Sequence, residues 1–235
     1  MFAQILAWLC QFIDKTFTLI RKRLRPKTRL ELRRYHQIPR SNSFYTGKLR
    51  LLIGLEGTLV CTSYTAIPGW DKINIKYLSG LTQDFYIKHR PYLDQFLLSV
   101  SQIYDVSIYT TQIQDFAVPI IDRFCIKLKH NFYRQKQILF FTQSCVLSRN
   151  KITKEINMTT SNPHNVIFVD SDEDQCLANS ENAYPIALYT GQDNDTELLK
   201  LKDFLIQAEA QMKVRKEQDP GVTIQDILQE MTAED

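Results

Sequence analysis

The apolar run Leu51 to Val60, LLIGLEGTLV, breaks into a Gly-flanked acidic turn, the pattern of a buried strand that ends at a sheet edge. Such a strand delivers Gly54, Glu56 and Thr58 to the place where parallel α/β sheets bind ligands, just beyond the carboxyl ends of their strands. Val106 to Thr111, VSIYTT, is a second β-branched and aromatic run, and its end delivers Thr110. Val166 to Val169 is the strongest buried-strand pattern in the chain and ends in Asp170, Ser171 and Asp172. A last strand is predicted at Ile186 to Tyr189, and Leu139 to Val146 opens a β-rich stretch ahead of Lys154.

Helical periods fall between these runs. Lys88 to Pro91 opens a helix with Leu93, Phe96, Leu97 and Val100 as its buried stripe, and Phe116 to Phe124 places Val118, Ile121 and Phe124 on one side. A helix from about Thr196 to Lys213, capped by Asp195, turns Leu198, Leu201, Leu205 and Ala208 inward. Cys61 to Tyr86, with Pro68, Gly69, Gly80 and β-like runs at Ile73 to Tyr77 and Asp84 to Ile87, reads as a hairpin-like insertion. Strands alternating with helices predict an α/β domain over residues 48–216: a mainly parallel sheet, helices on both faces and a small β insertion.

The chain ahead of that domain has a different pattern. On a helix at ~100° per residue, Gln4, Gln11, Asp14, Lys15, Thr18 and Lys22 gather on one narrow face, while Phe2, Ile5, Leu6, Trp8, Leu9, Phe12, Ile13 and Phe17 cover the rest. A spanning helix needs about 20 mainly apolar residues, and Asp14 with Lys15 interrupts this one early. Residues 1–24 therefore read as an amphipathic helix lying in a membrane interface, with a shallow or tilted span as the alternative. No basic region precedes the run and no small-residue cleavage site follows it, which argues against a secretory signal. Arg21, Lys22, Arg23, Arg25, Lys27, Arg29, Arg33 and Arg34 come next, in and around a basic linker of residues 25–47. Beside an interfacial helix such a cluster attracts anionic head groups, and it predicts a domain facing cytosol or nucleoplasm. Nucleic-acid binding is a weaker reading of the same charges, because no aromatic interleaving or reader motif accompanies them.

Composition supports the division. The 235 residues are 44% hydrophobic and 23% charged, which is globular, and their length suits one α/β domain with short appendages. The net charge of +3 hides an asymmetry: residues 1–50 hold 12 of the 29 Lys and Arg against Asp14 and Glu31, a balance of +10, and the remaining 17 bases and 24 acids give −7. Cys10, Cys61, Cys125, Cys145 and Cys176 are odd in number, widely spaced and without a CxxC pair, so they read as free thiols in a reducing compartment. Residues 217–235 are acidic and carry Val222, Ile224, Ile227, Leu228 and Met231; a short isolated helix is marginal in water, so a tail is expected ahead of a docking helix.

In this order the pieces resemble the C-terminal-domain-phosphatase branch of the haloacid dehalogenase superfamily, from about Arg34 to Arg215. LLIGLEGTLV resembles the Asp-x-Asp-x-Thr opening motif, KHRPYLDQFL the Lys-Arg-Pro helix opening, SIYTTQ the second motif, SCVLSRNKITKEI the Cys-then-Lys segment, and NVIFVDSDE the Asp-Asn-Ser-Pro motif. NAYPIALYTGQDNDTELLKLKDFL resembles the C-terminal end. By layout the chain is most similar to Dullard-type nuclear envelope phosphatases, which also place an apolar helix and a basic stretch before the domain, and RYHQIPR resembles their linker. The resemblance implies an endoplasmic reticulum or nuclear envelope location and, as partners, a protein or phosphoprotein and a small membrane regulatory subunit.

Active members, the resemblance implies, attack phosphorus with the first Asp, protonate the leaving alcohol with the second, and hold magnesium through the first Asp, a carbonyl at the second acidic position and the Asn of Asp-Asn-Ser-Pro. The matching positions here are Gly54, Glu56 and Ser171, so the nucleophile and both side-chain metal ligands are replaced. Thr58, Thr110, Lys154 and Asp170 match the family, and Asp172 is a candidate substitute ligand. Thr110 and Lys154 stand either as a residual phosphate pocket or as supports of the fold. Removing a covalent nucleophile costs about 10⁴ to 10⁶ in rate in other enzymes, about 5 to 8 kcal/mol. The expectation is a pseudophosphatase that needs no cofactor; a weak magnesium-dependent Ser/Thr phosphatase is the rival.

Overall fold

The computed structural model describes residues 48–77, 79–124, 145–148, 151–160 and 162–233. The interfacial helix with Trp8, Leu9 and Phe12, the basic cluster from Arg21 to Arg25 and most of the stretch from Leu139 to Val146 lie outside those residues.

Strand β1 (Leu49–Gly54) is central, because a run buried on both faces is stable only with a strand on each side. Parallel β5 (Tyr104–Tyr109) pairs on one side with Leu51 opposite Val106, and parallel β8 (Val166–Asp170) pairs on the other with Leu51 opposite Ile167. Strand β9 (Ala183–Pro185) joins the far side of β8, completing the order β5-β1-β8-β9. The ends of β1, β5 and β8 are thus neighbours, and Gly54 pairs with Tyr109 one residue before Thr110.

The period of two divides the sheet. Leu49, Leu51, Ile53, Tyr104, Val106, Ile108, Ile167 and Val169 join one core with the helices α1 (Leu93–Ile103), α2 (Gln114–Phe124), α4 (Glu197–Gln218) and α5 (Ile224–Ala233). Leu52, Tyr109 and Phe168 alternate with them and are equally buried, Tyr109 and Phe168 meeting edge to face. Beside this second set lie the hairpin β6 (Cys145–Ser148) with β7 (Lys151–Lys154) and the short helix α3 (Glu173–Leu177). Helices on both faces were expected; among the described residues the long helices share the first core.

Several boundaries move for identifiable reasons. The insertion has three strands, β2 (Val60–Ser63), β3 (Asp71–Lys76) and β4 (Thr82–His89), in the antiparallel order β2-β4-β3. Strand β4 runs through Lys88, so the first helix opens at Leu93 after Tyr92, which sits at φ 66, and not at Lys88; its buried stripe is the expected one. In α2 the buried set is Phe116, Ala117, Ile120 and Ile121, with Val118 only half-buried, because the helix turns a wider stripe onto the core. The run Ile186 to Tyr189 is not a strand: β9 ends at Pro185, which tolerates a sheet edge, and Tyr189 N then donates to Gly57 O at 2.7 Å. Residues 224–233 are no loose tail but helix α5, which buries Ile224, Ile227 and Leu228 and reaches α4 through an Arg215–Glu230 ion pair. Packing supplies what an isolated ten-residue helix lacks.

Candidate functional site

A short turn carries the first strand past the sheet edge. Leu59 N and Val60 N both donate to Leu55 O, Gly57 N donates to Val60 O at 2.8 Å, and Gly57 takes φ 71, where a side chain would be strained and would strike Leu188 and Ser171. Thr58 is fully buried inside this turn. Its Oγ1 accepts from Ser171 N at 3.1 Å and donates to Ser171 Oγ at 3.2 Å, which ties the end of β1 to the end of β8. Glu56 is engaged elsewhere: Thr62 Oγ1 donates to its Oε1 at 3.0 Å and Gln112 Nε2 to its Oε2 at 2.5 Å.

Arg90 holds the turn from outside, and sequence reasoning passed over it. It is 1% exposed, donates to Asp195 Oδ1 and Oδ2 at 2.8 and 2.9 Å, to Thr58 O at 3.0 Å and to Ala187 O at 2.8 Å, and lies over the Tyr189 ring. The planar guanidinium fork is suited to this bidentate pairing. Burial works to raise the Asp195 carboxyl, but the Arg90 hydrogen bonds and charge outweigh it and hold the group below its usual range. The one local mark of Arg90 in the sequence is its place directly before Pro91, which does not tell a buried arginine from a solvated one. Asp195 was expected as the α4 cap; the cap residue is Thr196, which makes no side-chain cap bond, and Asp195 one position ahead accepts through Oδ1 from Glu197 N at 3.1 Å.

On the other side of Gly54, Lys154 and Asp170 form a buried ion pair, 6% and 2% exposed. The β7 backbone at Lys154 is fixed by α3 and by the residue two beyond it: Lys154 N donates to Gln175 Oε1 at 2.6 Å, and Asn179 Nδ2 donates to Lys154 O at 2.8 Å. Tyr109 Oη accepts from Glu155 N at 2.9 Å, and the ammonium lies 5.8 and 5.9 Å from the Tyr109 and Phe168 ring centroids. Aromatic faces on this side help a buried cation that has left water. Asp170 Oδ1 accepts from Asp172 N at 3.0 Å. Burial, with the Asp170 charge second, pushes the nearby Cys176 thiol up to about 11, so it stays protonated near neutrality.

The structure therefore brings Gly54, Thr58, Asp170, Ser171 and Lys154 together. Thr110 is buried at the end of β5 at the same sheet edge, and its Oγ1 accepts from Gln112 N at 3.1 Å, a local turn bond. Asp172, the candidate substitute ligand, is engaged through Oδ1, which caps α3 by accepting from Asp174 N at 3.0 Å.

These donors do not fit the magnesium ion that the family resemblance implies. Gly54 offers no side chain, the Ser171 hydroxyl is shared with Thr58, Asp170 is balanced by Lys154, and one Asp172 oxygen caps α3. A magnesium site needs carboxylate oxygens free to complete an octahedron. Among the described residues, no three or more His, Cys, Asp or Glu stand together where they can hold a metal.

Comparison with known proteins agrees with this architecture. Residues 49–215 match the family model described as NLI interacting factor-like phosphatase. The human CTD small phosphatase-like protein is 28% identical over 67% of this chain and 55% of its own length, and Phosphatase Herzog of Drosophila melanogaster is 27% identical over 64% and 41%. Nuclear envelope morphology protein 1 of Schizosaccharomyces pombe is 32% identical over 52% of this chain and 24% of its own. The matched region is thus about a quarter to about three fifths of the length of such relatives. The solved structure of Fcp1, an essential RNA polymerase II CTD phosphatase, superposes with a TM-score of 0.65 at 17% identity, covering 78% of this chain and 70% of that one, which shows a shared fold.

Proposed function

The chain belongs to the NLI interacting factor-like phosphatase family, and from that premise we propose that it is a membrane-associated pseudophosphatase that acts by binding a protein partner. The observation that carries the reading is Gly54 at the carboxyl end of β1, where the family's attacking carboxylate would stand. Glu56 does not take over, since it lies two residues on with both carboxylate oxygens hydrogen-bonded to Thr62 and Gln112. The fold is retained around this position by Arg90, Thr58 and the Lys154–Asp170 pair, which need no metal.

Membrane association rests on residues 1–34, with Trp8, Leu9 and Phe12 on the apolar side and eight bases from Arg21 to Arg34. Among the described residues no helix is long and apolar enough to cross a membrane, so the anchor in this reading is the N-terminal segment. The similarity to a protein named for nuclear envelope morphology supports the nuclear envelope or endoplasmic reticulum as the place.

The test is an aryl-phosphate assay on the full chain with a magnesium titration. The expected result is no hydrolysis and no rise of Tm in millimolar magnesium, since a ligand that binds only the native state stabilises it by RT ln(1 + [L]/Kd). Turnover at about 1 per second, within the ordinary enzyme range, would overturn the reading.

A further inference from the structure

We infer that the chain's own Asp170 carboxylate serves as the resident anion of Lys154 and fills the room beside Gly54, so that this site is closed to phosphoryl groups and the partner is not recognised through a phosphate. The inference rests on the pseudophosphatase reading and narrows it, setting aside the phosphoprotein among the binding partners.

Residue 54 has little room for a side chain. A Cβ placed on Gly54 would lie 2.7 Å from Asp170 Oδ2, 2.9 Å from Asp170 Cγ and 2.8 Å from Thr58 Oγ1. All three distances are shorter than packed atoms accept, so any side chain here, the family's aspartate included, first has to move both neighbours. Neither is a loose side-chain end. The Asp170 carboxylate is tied to Lys154 through Oδ2 and to Asp172 N through Oδ1, and Thr58 Oγ1 is tied to Ser171 N and Ser171 Oγ. A side chain at position 54 is thus accommodated only when Asp170 and Thr58 shift from their present places.

Charge leads to the same conclusion. A buried ammonium needs an anion, because an unpaired charge out of water is costly. Lys154 already has one in direct contact, and both partners are almost wholly buried. A second anion such as a phosphoryl group would meet the Asp170 charge at close range and would have to displace it. Of the nearby hydroxyls, only Thr58 has its proton committed, to Ser171 Oγ, so exclusion of an anion rests on the Asp170 charge.

Differential scanning fluorimetry on the full chain tests this, with sodium formate and inorganic phosphate as probes and chloride at equal ionic strength as control. Wild type should show no shift beyond the general salt effect. Asp170→Ala should lose stability and recover part of it in formate or phosphate, and the recovery should vanish in Asp170→Ala with Lys154→Met. Gly54→Ala should lower Tm by about 2 to 12 °C, the range for overpacking a buried site in a domain of this size. In the Asp170→Ala background the same substitution should cost less. If Asp170→Ala does not fold, the wild-type titration and the Gly54→Ala melt still decide. Phosphate or formate binding by wild type without turnover overturns the inference and leaves the pseudophosphatase reading standing, as does a Gly54→Ala protein as stable as wild type. Hydrolysis of aryl phosphate by wild type removes both.

Discussion

Replacing Arg90 with Ala should be among the most damaging single changes in the domain. The guanidinium is buried, gives two hydrogen bonds to Asp195, one to Thr58 O and one to Ala187 O, and packs over Tyr189. Removing one partner of a buried charge pair costs about 3 to 5 kcal/mol, because the other charge is left without compensation. For a domain of this size each kcal/mol moves Tm by about 2 to 4 °C, so a loss of about 6 to 20 °C is expected by calorimetry at pH 7. The pH dependence carries a second signature. In wild type the Asp195 carboxyl sits below its ordinary value of 3.8, so its contribution is complete above that value and is lost as pH falls through the folded-state pKa. Without Arg90 the burial that already works to raise this group prevails, and its folded pKa rises above the unfolded one. Its contribution then changes sign in shape: it is present at low pH and declines as pH rises through the carboxylate range. Asp195→Asn in the Arg90→Ala background should therefore return some stability at pH 7. Additive losses from Arg90→Ala and Asp195→Asn, with parallel pH profiles for wild type and Arg90→Ala, would refute the coupling.

Two further outcomes are expected. Ile227→Ala in α5 should cost about 2 to 5 kcal/mol by equilibrium urea unfolding, as for other buried aliphatic truncations, whereas the exposed Gln229→Ala should fall within about 0.5 kcal/mol of wild type. Residues 1–34 fused to a fluorescent protein should reach an intracellular membrane, changing Trp8, Leu9 and Phe12 to Asp should release the fusion, and neutralising Arg21 to Arg25 should weaken binding to anionic vesicles in a salt-sensitive way; attachment that survives the Asp changes would count against an interfacial helix.

How much of this was legible in the chain depended on the range of the interaction. Strands β1, β5 and β8 announce themselves because burial on both faces demands uninterrupted apolar runs, and α1 and α4 because their inward stripes repeat locally. The strand after β8 was misplaced by three residues: Ile186 and Tyr189 are apolar because they are buried over the Leu55–Val60 turn and the core, which a short window does not separate from strand pairing. Helix α5 was read as a tail because its stability comes from α4 and from Gln225, whose Nε2 donates to Asn182 Oδ1 at 3.0 Å, 43 residues away. Gly54, Glu56 and Ser171 were visible as departures from a motif. The Arg90–Asp195 clamp, spanning 105 residues, was not, since nothing local distinguishes a buried arginine from a solvated one.

The end of β1 is shaped by groups separate from the position where the family's attacking carboxylate would stand. The groups that shape the end of β1 are Thr58, Arg90, Asp195 and Ser171 N, and none of them depends on a side chain at position 54. The carboxylate that answers the buried Lys154 is Asp170, at the end of the neighbouring strand β8. A Cβ added at position 54 would meet Asp170 and Thr58, so Gly54→Asp alone should restore less metal binding than the same change combined with Glu56→Asp and Ser171→Asn. The bonds that hold Asp170 and Ser171 in place stabilise this sheet edge and at the same time engage oxygens that a metal ion here would have to recruit, so stability and metal binding make opposing demands on the same atoms.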